Sequence, residues 1–154
     1  MKGHVKPIPK GYHAVTPYLI VDQAAEALHF YKKAFGATEI FRMEGPDNKI
    51  AHAEIQIGDS RIMLADGGPP EMKAQSPQAL GGTSVSLMLY VEDVDDVFKH
   101  AVKAGGTTVR PVTDLFYGDR SGTLADPYGH IWHVSTHKED LTPEEIQHRA
   151  MATH

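Results

Sequence analysis

The two halves of the sequence match each other at a constant spacing of 70 residues. Three blocks keep this register: VTPYLIVD (15–22) with VSLMLYVED (85–93), FYKKAFGAT (30–38) with HAVKAGGTT (100–108), and RIMLADG (61–67) with IWHVSTH (131–137). The alignment places Gly36 on Gly106 and Thr38 on Thr108. A repeat of this length predicts a supersecondary unit that the chain builds twice.

Each half has the pattern of a strand, a helix and then further strands. The aliphatic runs LIV and LMLYV have strand length, and Asp22 or Asp93 after them can cap a helix. The next segments space apolar residues three and four apart, as one face of a helix does: Ala24, Ala27, Leu28, Tyr31 and Phe35, then Val94, Val97, Phe98, Ala101 and Val102. Gly36 suits the end of the first helix. Alternating segments complete each half, so we predict an α+β fold of two βαβββ modules.

The length of 154 residues suits a single domain with its own core. Within it we place a first module at 12–67, a linker rich in proline and glycine at 68–83, a second module at 84–137 and a tail at 138–154. The linker is long for a compact domain, which favours a hinge, a lid or a swapping segment. In the tail, Thr142, Pro143 and Glu145 predict the start of a short helix.

The composition excludes several kinds of function. A net charge of −5 provides no broad basic face for nucleic acid. The absence of cysteine excludes disulfides, thiolate zinc sites and thiol catalysis. Apolar runs are too short to span a membrane, and the sequence motifs of dinucleotide sites, phosphate loops, serine hydrolases and zincins are missing. We therefore expect a soluble, cytoplasmic protein with no membrane or nucleic-acid partner.

The paired modules, together with FYKKAFGA, IGDSRIMLAD and LADPYGHIW, resemble the vicinal oxygen chelate superfamily of glyoxalases, extradiol dioxygenases and bleomycin resistance proteins. The likeness spans about residues 12–137 and is greatest to the PhnB-like branch. It implies a curved mixed sheet around a cleft, with helices on the outside. Because a partner subunit often completes that cleft, the resemblance also implies a homodimer.

The same resemblance implies four positions that hold a divalent ion in the metal-dependent members, one from the first and one from the last strand of each module. In this sequence they are occupied by Thr16, Met63, Ser86 and His133. Only the imidazole is a good ligand for such an ion, because neutral hydroxyls bind weakly and a thioether selects soft metals. We therefore expect no metal cofactor and a small organic molecule bound in the cleft. The alternative is a metal-dependent lyase, isomerase or dioxygenase that holds its ion with His52, Glu54 and His133.

Further candidates for contact with the ligand lie on the inner strands. Tyr18 and Met88 share the parity of Thr16 and Ser86, and such a mixture of aromatic, thioether and hydroxyl groups suits a small, partly apolar ligand. Simple packing explains these residues as well. His52 and Glu54 alternate along one strand and so share a face, either as a solvated surface or as an acid/base pair.

The stretch YGDRSGTLADPYGHIWHV (117–134) combines turn formers with polar groups. Asp126, Pro127 and Gly129 predict a turn between the last two strands. Trp132 has the parity of the core, whereas His133 has that of the cleft, where it either contacts a ligand or is held by hydrogen bonds. Arg120 either presents its guanidinium to a ligand or pairs with Asp119 or Asp126.

Overall fold

A computed structural model describes residues 3–152, which divide into two compact units at Gly82 and Thr83. The first unit contains β1 (Tyr18–Val21), α1 (Ala24–Phe35), β2 (Thr38–Glu44), β3 (Ile50–Ile57), β4 (Ser60–Asp66) and α2 (Pro77–Leu80). The second contains β5 (Ser86–Tyr90), α3 (Val94–Ala104), β6 (Thr107–Asp114), β7 (Asp119–Ala125), β8 (Ile131–His137) and α4 (Pro143–Ala152). The predicted βαβββ order is therefore present in each unit.

Each unit has one four-stranded mixed sheet with the same topology. The strand orders are β1-β4-β3-β2 and β5-β8-β7-β6. The first strand pairs in parallel with the last strand of its own unit, and the other neighbours are antiparallel. This arrangement confirms the α+β class and the duplicated module. No helix among residues 3–152 has both the length and the apolar character that crossing a bilayer requires.

One face of each sheet forms a core with its helix. In the first unit Leu28 and Tyr31 of α1 are fully buried, as are Ile55 and Leu64 on the sheet. In the second unit the buried residues include Phe98 of α3 and Trp132 of β8, so the prediction of a core tryptophan is confirmed. Burial of these apolar side chains drives the packing of each helix on its sheet.

The two modules start their helices differently. Asp93 caps α3 as predicted, because its side chain accepts a hydrogen bond from the backbone N–H of Asp96 at 3.1 Å. The prediction that Asp22 caps α1 is wrong, since Gln23 takes the N-cap position in a left-handed conformation and makes no capping bond. Asp66, at the end of β4, instead accepts from the backbone N–H of Ala24 at 3.0 Å.

Equivalent residues are 70 positions apart in the first and last strands of the two modules, and 69 positions apart in the second and third strands. Helix α1 has 12 residues and α3 has 11. As a result, Thr38 opposite Gln56 corresponds to Thr107 opposite Ala125, and the predicted match of Thr38 with Thr108 is wrong by one residue. The match of Gly36 with Gly106 is wrong in the same way, because Gly105 holds the C-cap of α3.

The offset returns from 69 to 70 residues in the last hairpin, because the turn of the second unit is one residue longer. The turn after β3 has two residues between the paired Ile57 and Ser60. The turn after β7 has three, between Asp126 and His130, whose backbone groups share a hydrogen bond of 2.8 Å. The side chain of Asp126 accepts from the backbone N–H of Tyr128 and of His130, which confirms the predicted turn.

The segment between the modules is folded up to the unit boundary. Residues Pro70–Met72 form a short 3₁₀ turn, and α2 follows. Ser76 is buried and accepts a hydrogen bond from the backbone N–H of Ala79, while Pro77 begins the helix. The role of this linker as a hinge, lid or swapping segment stays a prediction. In the tail, Thr142 caps α4 through the backbone N–H of Glu145, as predicted.

Candidate functional site

Each sheet has a polar face opposite the one that packs against its helix. We call these the first polar face, which carries Tyr18, His52, Glu54 and Met63, and the second polar face, which carries Ser86, Met88, Thr123 and His133. The pairings place these residues side by side. On the first sheet Met63 lies opposite Tyr18 and Glu54, and on the second His133 lies opposite Met88 and Thr123. The faces are thus equivalent in backbone position and different in chemistry.

A continuous chain of hydrogen bonds crosses the first polar face. The Tyr12 hydroxyl donates to Oε1 of Glu54, and the other carboxylate oxygen lies 2.8 Å from Nε2 of His52. Nδ1 of His52 lies 2.7 Å from the hydroxyl of Tyr18. The predicted sharing of one face by His52 and Glu54 is confirmed, and the two side chains bond directly to each other.

This network changes the acidity of its members. The hydrogen bond from Tyr12, followed by that from His52, lowers the pKa of Glu54. Burial and then the bond to Glu54 raise the pKa of Tyr12 to about 12, and burial raises the pKa of Tyr18 with a smaller effect from the Glu54 charge. The guanidinium of Arg61 lies 5.3 Å from the centre of the Tyr12 ring, in the range of a cation–π contact. The carboxylate is therefore held ionised and its two tyrosine neighbours are held neutral.

Thr16 does not lie on a strand of the first sheet. Strand β1 begins at Tyr18, and the backbone carbonyl of Pro17 accepts a hydrogen bond from Met63 at 3.0 Å. The expectation that Thr16 is a residue of the first strand is therefore wrong. Proline has no N–H to donate to a neighbouring strand, which is consistent with a strand that starts after Pro17.

His133 is held at both ring nitrogens on the second polar face. Nδ1 lies 2.8 Å from the hydroxyl of Thr123, and Nε2 lies 3.1 Å from that of Ser86. Ser86 and His133, two of the four predicted positions, are therefore in contact. Met88 lies beside them, with its sulfur 3.3 Å from the hydroxyl of Ser135.

Several polar residues of the second face were not predicted from the sequence. Arg110 donates to the hydroxyls of Ser121 and Thr123 at 3.3 Å, and Ser121 accepts from Ser135 at 2.7 Å. The strand DRSGTLA places Ser121 and Thr123 at alternating positions, so their shared face was readable from the sequence. Arg110 carried no such signal, because its contacts depend on how a bulged strand pairs with β7.

Arg120 is engaged in ion pairs on the surface of the second unit. Its guanidinium donates to Asp95 at 2.8 and 3.0 Å and to Asp114 at 3.2 Å. Pairing was one of the two expected roles, but the partners Asp119 and Asp126 were wrong. Asp119 instead accepts from Tyr90 at 2.7 Å. The carboxylate of Asp126 braces its own turn and accepts from the indole N–H of Trp132 at 2.9 Å.

The four positions that the resemblance links to a divalent ion do not fit one. Thr16 and Ser86 offer neutral hydroxyls, and Met63 offers a thioether, all weak partners for such an ion. His133, the only imidazole in the set, already uses both nitrogens with neighbouring hydroxyls. Across residues 3–152, no group of three or more histidine and carboxylate side chains could hold a metal ion. The alternative metal ligands, His52, Glu54 and His133, come from both units, and this site stays a prediction.

Comparison with known proteins gives consistent results along most of the chain. A sequence model of the Glyoxalase/Bleomycin resistance protein/Dioxygenase superfamily matches residues 11–134. The uncharacterized protein Rv0887c of Mycobacterium tuberculosis is 43% identical over 136 residues, which cover 87% of this chain and 80% of that protein. TioX from Micromonospora sp. ML1 has a similar structure, with a TM-score of 0.63 and 25% identity over 84% of this chain and 100% of its own.

A third similarity is to the fold of a PhnB protein. The PhnB protein from Bacillus cereus, described as a putative 3-demethylubiquinone-9 3-methyltransferase, has a TM-score of 0.62 and 21% identity, covering 80% of this chain and 99% of its own. At that identity the likeness concerns the fold alone. The fold and the superfamily inferred from the sequence are confirmed by these matches, and the PhnB-like branch stays a prediction.

Proposed function

Because the chain belongs to the glyoxalase/bleomycin resistance protein/dioxygenase superfamily, we propose that it binds a small, partly apolar organic molecule on one of its polar faces without a metal ion. The observation that carries this proposal is the state of His133. It is the only imidazole among the four positions that would hold an ion, and hydroxyls occupy both of its nitrogens. Both nitrogens of this imidazole are used within the protein, so the side chain is not set up to coordinate an ion.

Exposed apolar groups beside fixed polar ones support binding of an organic molecule. Tyr18 and Met88 are each 48% exposed at equivalent positions on the first strand of each sheet. A contiguous apolar patch beside polar groups is typical of surfaces that bind ligands or partners, and on the first face Tyr18 and the equally exposed Phe41 both lie beside His52. Glu54 provides an acceptor on the first polar face and Arg110 a donor on the second, so a ligand of either face carries hydrogen-bonding groups as well as an apolar part.

The absence of a metal requirement is tested by elemental analysis of protein purified without chelators. We expect zinc, manganese and iron far below one ion per chain. One ion per chain that disappears in the His133→Ala variant, while a His29→Ala variant keeps it, would contradict the proposal. His29 is a suitable control because it is exposed on α1.

Binding is tested by thermal-shift screening of small heteroaromatic compounds against the metal-free protein, followed by titration calorimetry of each hit. Glu54→Gln and Thr123→Val remove fixed polar groups, and we expect one or the other to weaken binding about tenfold, since a lost hydrogen bond costs about 1–2 kcal/mol. His29→Ala should bind as tightly as the wild type. Hits whose affinity is unchanged in both site variants would place the ligand elsewhere.

We further propose that the protein is a homodimer, on the strength of the family resemblance. Sedimentation velocity of the full chain at micromolar concentration tests this. The expected mass is twice that of the chain, and a monomer at all concentrations would overturn it.

A further inference from the structure

We propose that Tyr18, His52 and Glu54 form a relay that activates the Tyr18 oxygen to attack an electrophilic carbonyl carbon of a small molecule. The three groups lie in sequence on the first polar face, with Tyr18 2.7 Å from Nδ1 of His52 and Glu54 2.8 Å from Nε2. The order of hydroxyl, imidazole and carboxylate is the arrangement that activates nucleophiles in many enzymes. No metal ion is needed for this chemistry.

The direction of the hydrogen bonds follows from the carboxylate. An ionised carboxylate only accepts hydrogen bonds, so Nε2 of His52 carries the proton that it donates to Glu54. A neutral imidazole has one N–H, which leaves Nδ1 as an acceptor. The Tyr18 hydroxyl therefore donates to Nδ1, so its proton already points at the base that would remove it.

The support of the carboxylate fixes the imidazole. Glu54 also accepts from the hydroxyl of Tyr12, and both Glu54 and His52 have side chains that are only 21% exposed. Partial burial strengthens these bonds relative to bulk water. Glu54 acts as a positioning residue that orients His52 and stabilises the imidazolium formed when the proton arrives.

Tyr90 provides a matched comparison inside the same chain. It is 57% exposed, against 48% for Tyr18, and its hydroxyl donates to the carboxylate of Asp119 at 2.7 Å. A carboxylate is a weaker base than an imidazole, with ordinary pKa values of about 4 and about 6.5. Easier access therefore does not favour Tyr18. Because the hydrogen bond to Asp119 also raises the pKa of Tyr90, the contribution of His52 is isolated by comparing the Tyr18 rate in the wild type with that in His52→Gln.

The chemical step is an acyl transfer to the phenol. The Tyr18 oxygen forms a bond to the carbonyl carbon as the bond from that carbon to its leaving group breaks. The phenolic proton passes to Nδ1 of His52, and the leaving group takes up a proton from solvent. The return of the His52 proton to solvent restores the neutral imidazole, and no oxidant or reductant takes part.

The test uses N-acetylimidazole, a small acyl donor that acetylates phenols, at neutral pH on the full chain. Peptide mass spectrometry follows acetylation of Tyr18 and Tyr90 in the same sample. We expect Tyr18 to react on the order of a hundredfold faster than Tyr90, the lower range of general-base assistance. Equal rates within about twofold would overturn the relay.

Substitutions in the relay identify its members. His52→Gln should reduce the Tyr18 rate to that of Tyr90, and Glu54→Gln should reduce it in part, while the Tyr90 rate stays constant in both. An unchanged Tyr18 rate in His52→Gln would contradict the role of the imidazole. Because an unfolded chain would label both tyrosines alike and raise the Tyr90 rate, that rate reports whether each variant is folded.

The inference shares the first polar face with the proposed function but does not depend on the identity of the ligand. The acylating reagent measures the reactivity of the Tyr18 oxygen directly. Failure of the acetylation test leaves metal-free binding intact. Discovery of a bound metal at His133 would overturn the binding proposal, while the Tyr18 rates in the wild type and in His52→Gln would still decide the relay.

Discussion

The two units place different chemistry on the same backbone positions. His52 of the first unit corresponds to Ser121, Glu54 to Thr123, and Met63 to His133. Each polar face thus keeps one imidazole at its centre, but on a different strand. In the first unit a carboxylate and two phenols surround it, and in the second hydroxyls and a guanidinium do.

This difference shows how a duplicated sheet can diverge without changing its fold. In both units alternate strand residues pack against the helix and form the core. The residues between them face away from the helix, so they can vary without disturbing the core. The first face presents an anionic acceptor, and the second presents a cationic donor near hydroxyls. A ligand that meets the first face therefore encounters different hydrogen-bonding partners from one that meets the second.

The largest expected effect concerns the cores, where Gly122 stands in the position of Ala53. A Cβ at Gly122 would lie 2.7 Å from the Phe98 ring and 2.9 Å from a methyl group of Val112. We expect Gly122→Ala to lower the free energy of unfolding by about 1–3 kcal/mol, as other overpacked cores do. Denaturant titration followed by circular dichroism measures this loss.

A second substitution sharpens the same comparison. Leu28 holds the position in α1 that Phe98 holds in α3, at the 70-residue spacing. The double variant Phe98→Leu with Gly122→Ala reproduces the pair of the first unit in the second. It should be less destabilised than Gly122→Ala alone, and an equal or greater loss would show that the two cores are not interchangeable at this position.

A smaller effect is expected from Glu54, whose counterpart Thr123 does not titrate. The pKa of Glu54 is lowered from its usual value near 4.5 in the folded state, so its carboxylate contributes stability above that pH and loses it as the pH falls through the lowered folded value. Glu54→Gln should lower the free energy of unfolding by about 1 kcal/mol at neutral pH. It should also reduce the loss of stability between pH 7 and pH 3. Thr123→Val should leave the loss of stability at low pH unchanged. An equal loss at low pH in the wild type and in Glu54→Gln would contradict the role of Glu54. Thermal unfolding between pH 3 and pH 7 measures it.

The smallest effect is expected from His137, which has Gly67 as its counterpart in the first unit. Hydrogen bonds to Asp119 and then Asp140 raise the pKa of His137. The histidine therefore contributes stability below its unfolded pKa of about 6.5, and that stability is lost as the pH rises through the raised folded value. Replacing it in His137→Gln should remove a shallow slope in the unfolding midpoint from the mildly acidic to the mildly alkaline range. An identical slope in the variant would assign the pH dependence elsewhere.

The repeat made the fold predictable, because apolar periodicity identifies elements and a second copy confirms them. The helix of each module and the face shared by His52 and Glu54 follow directly from spacing. The late start of β1 did not, since Thr16 has the same parity as Tyr18 and so fits the alternation of a longer strand. Aligning the halves at one fixed spacing also hid the shorter α3.

The hydrogen-bonded partners were beyond the reach of the sequence. Tyr12 and Glu54 are 42 residues apart, and their contact requires the segment before β1 to lie against the first polar face. The partners of Arg120 were wrong for a similar reason, because Asp95 lies on α3 and is remote in sequence. Periodicity assigns a side chain to a face, whereas pairing depends on strand register and rotamers.

The burial of Trp132 gives the second unit an optical reporter of its own. It is the single tryptophan of the chain, it is 1% exposed, and its indole N–H is bonded to Asp126. Its fluorescence emission should be blue-shifted in the native protein and should move to longer wavelength only when the second unit unfolds. Tyrosine absorbance reports on both units. Different denaturation midpoints for tyrosine absorbance and tryptophan fluorescence would therefore show that the two units unfold one after the other.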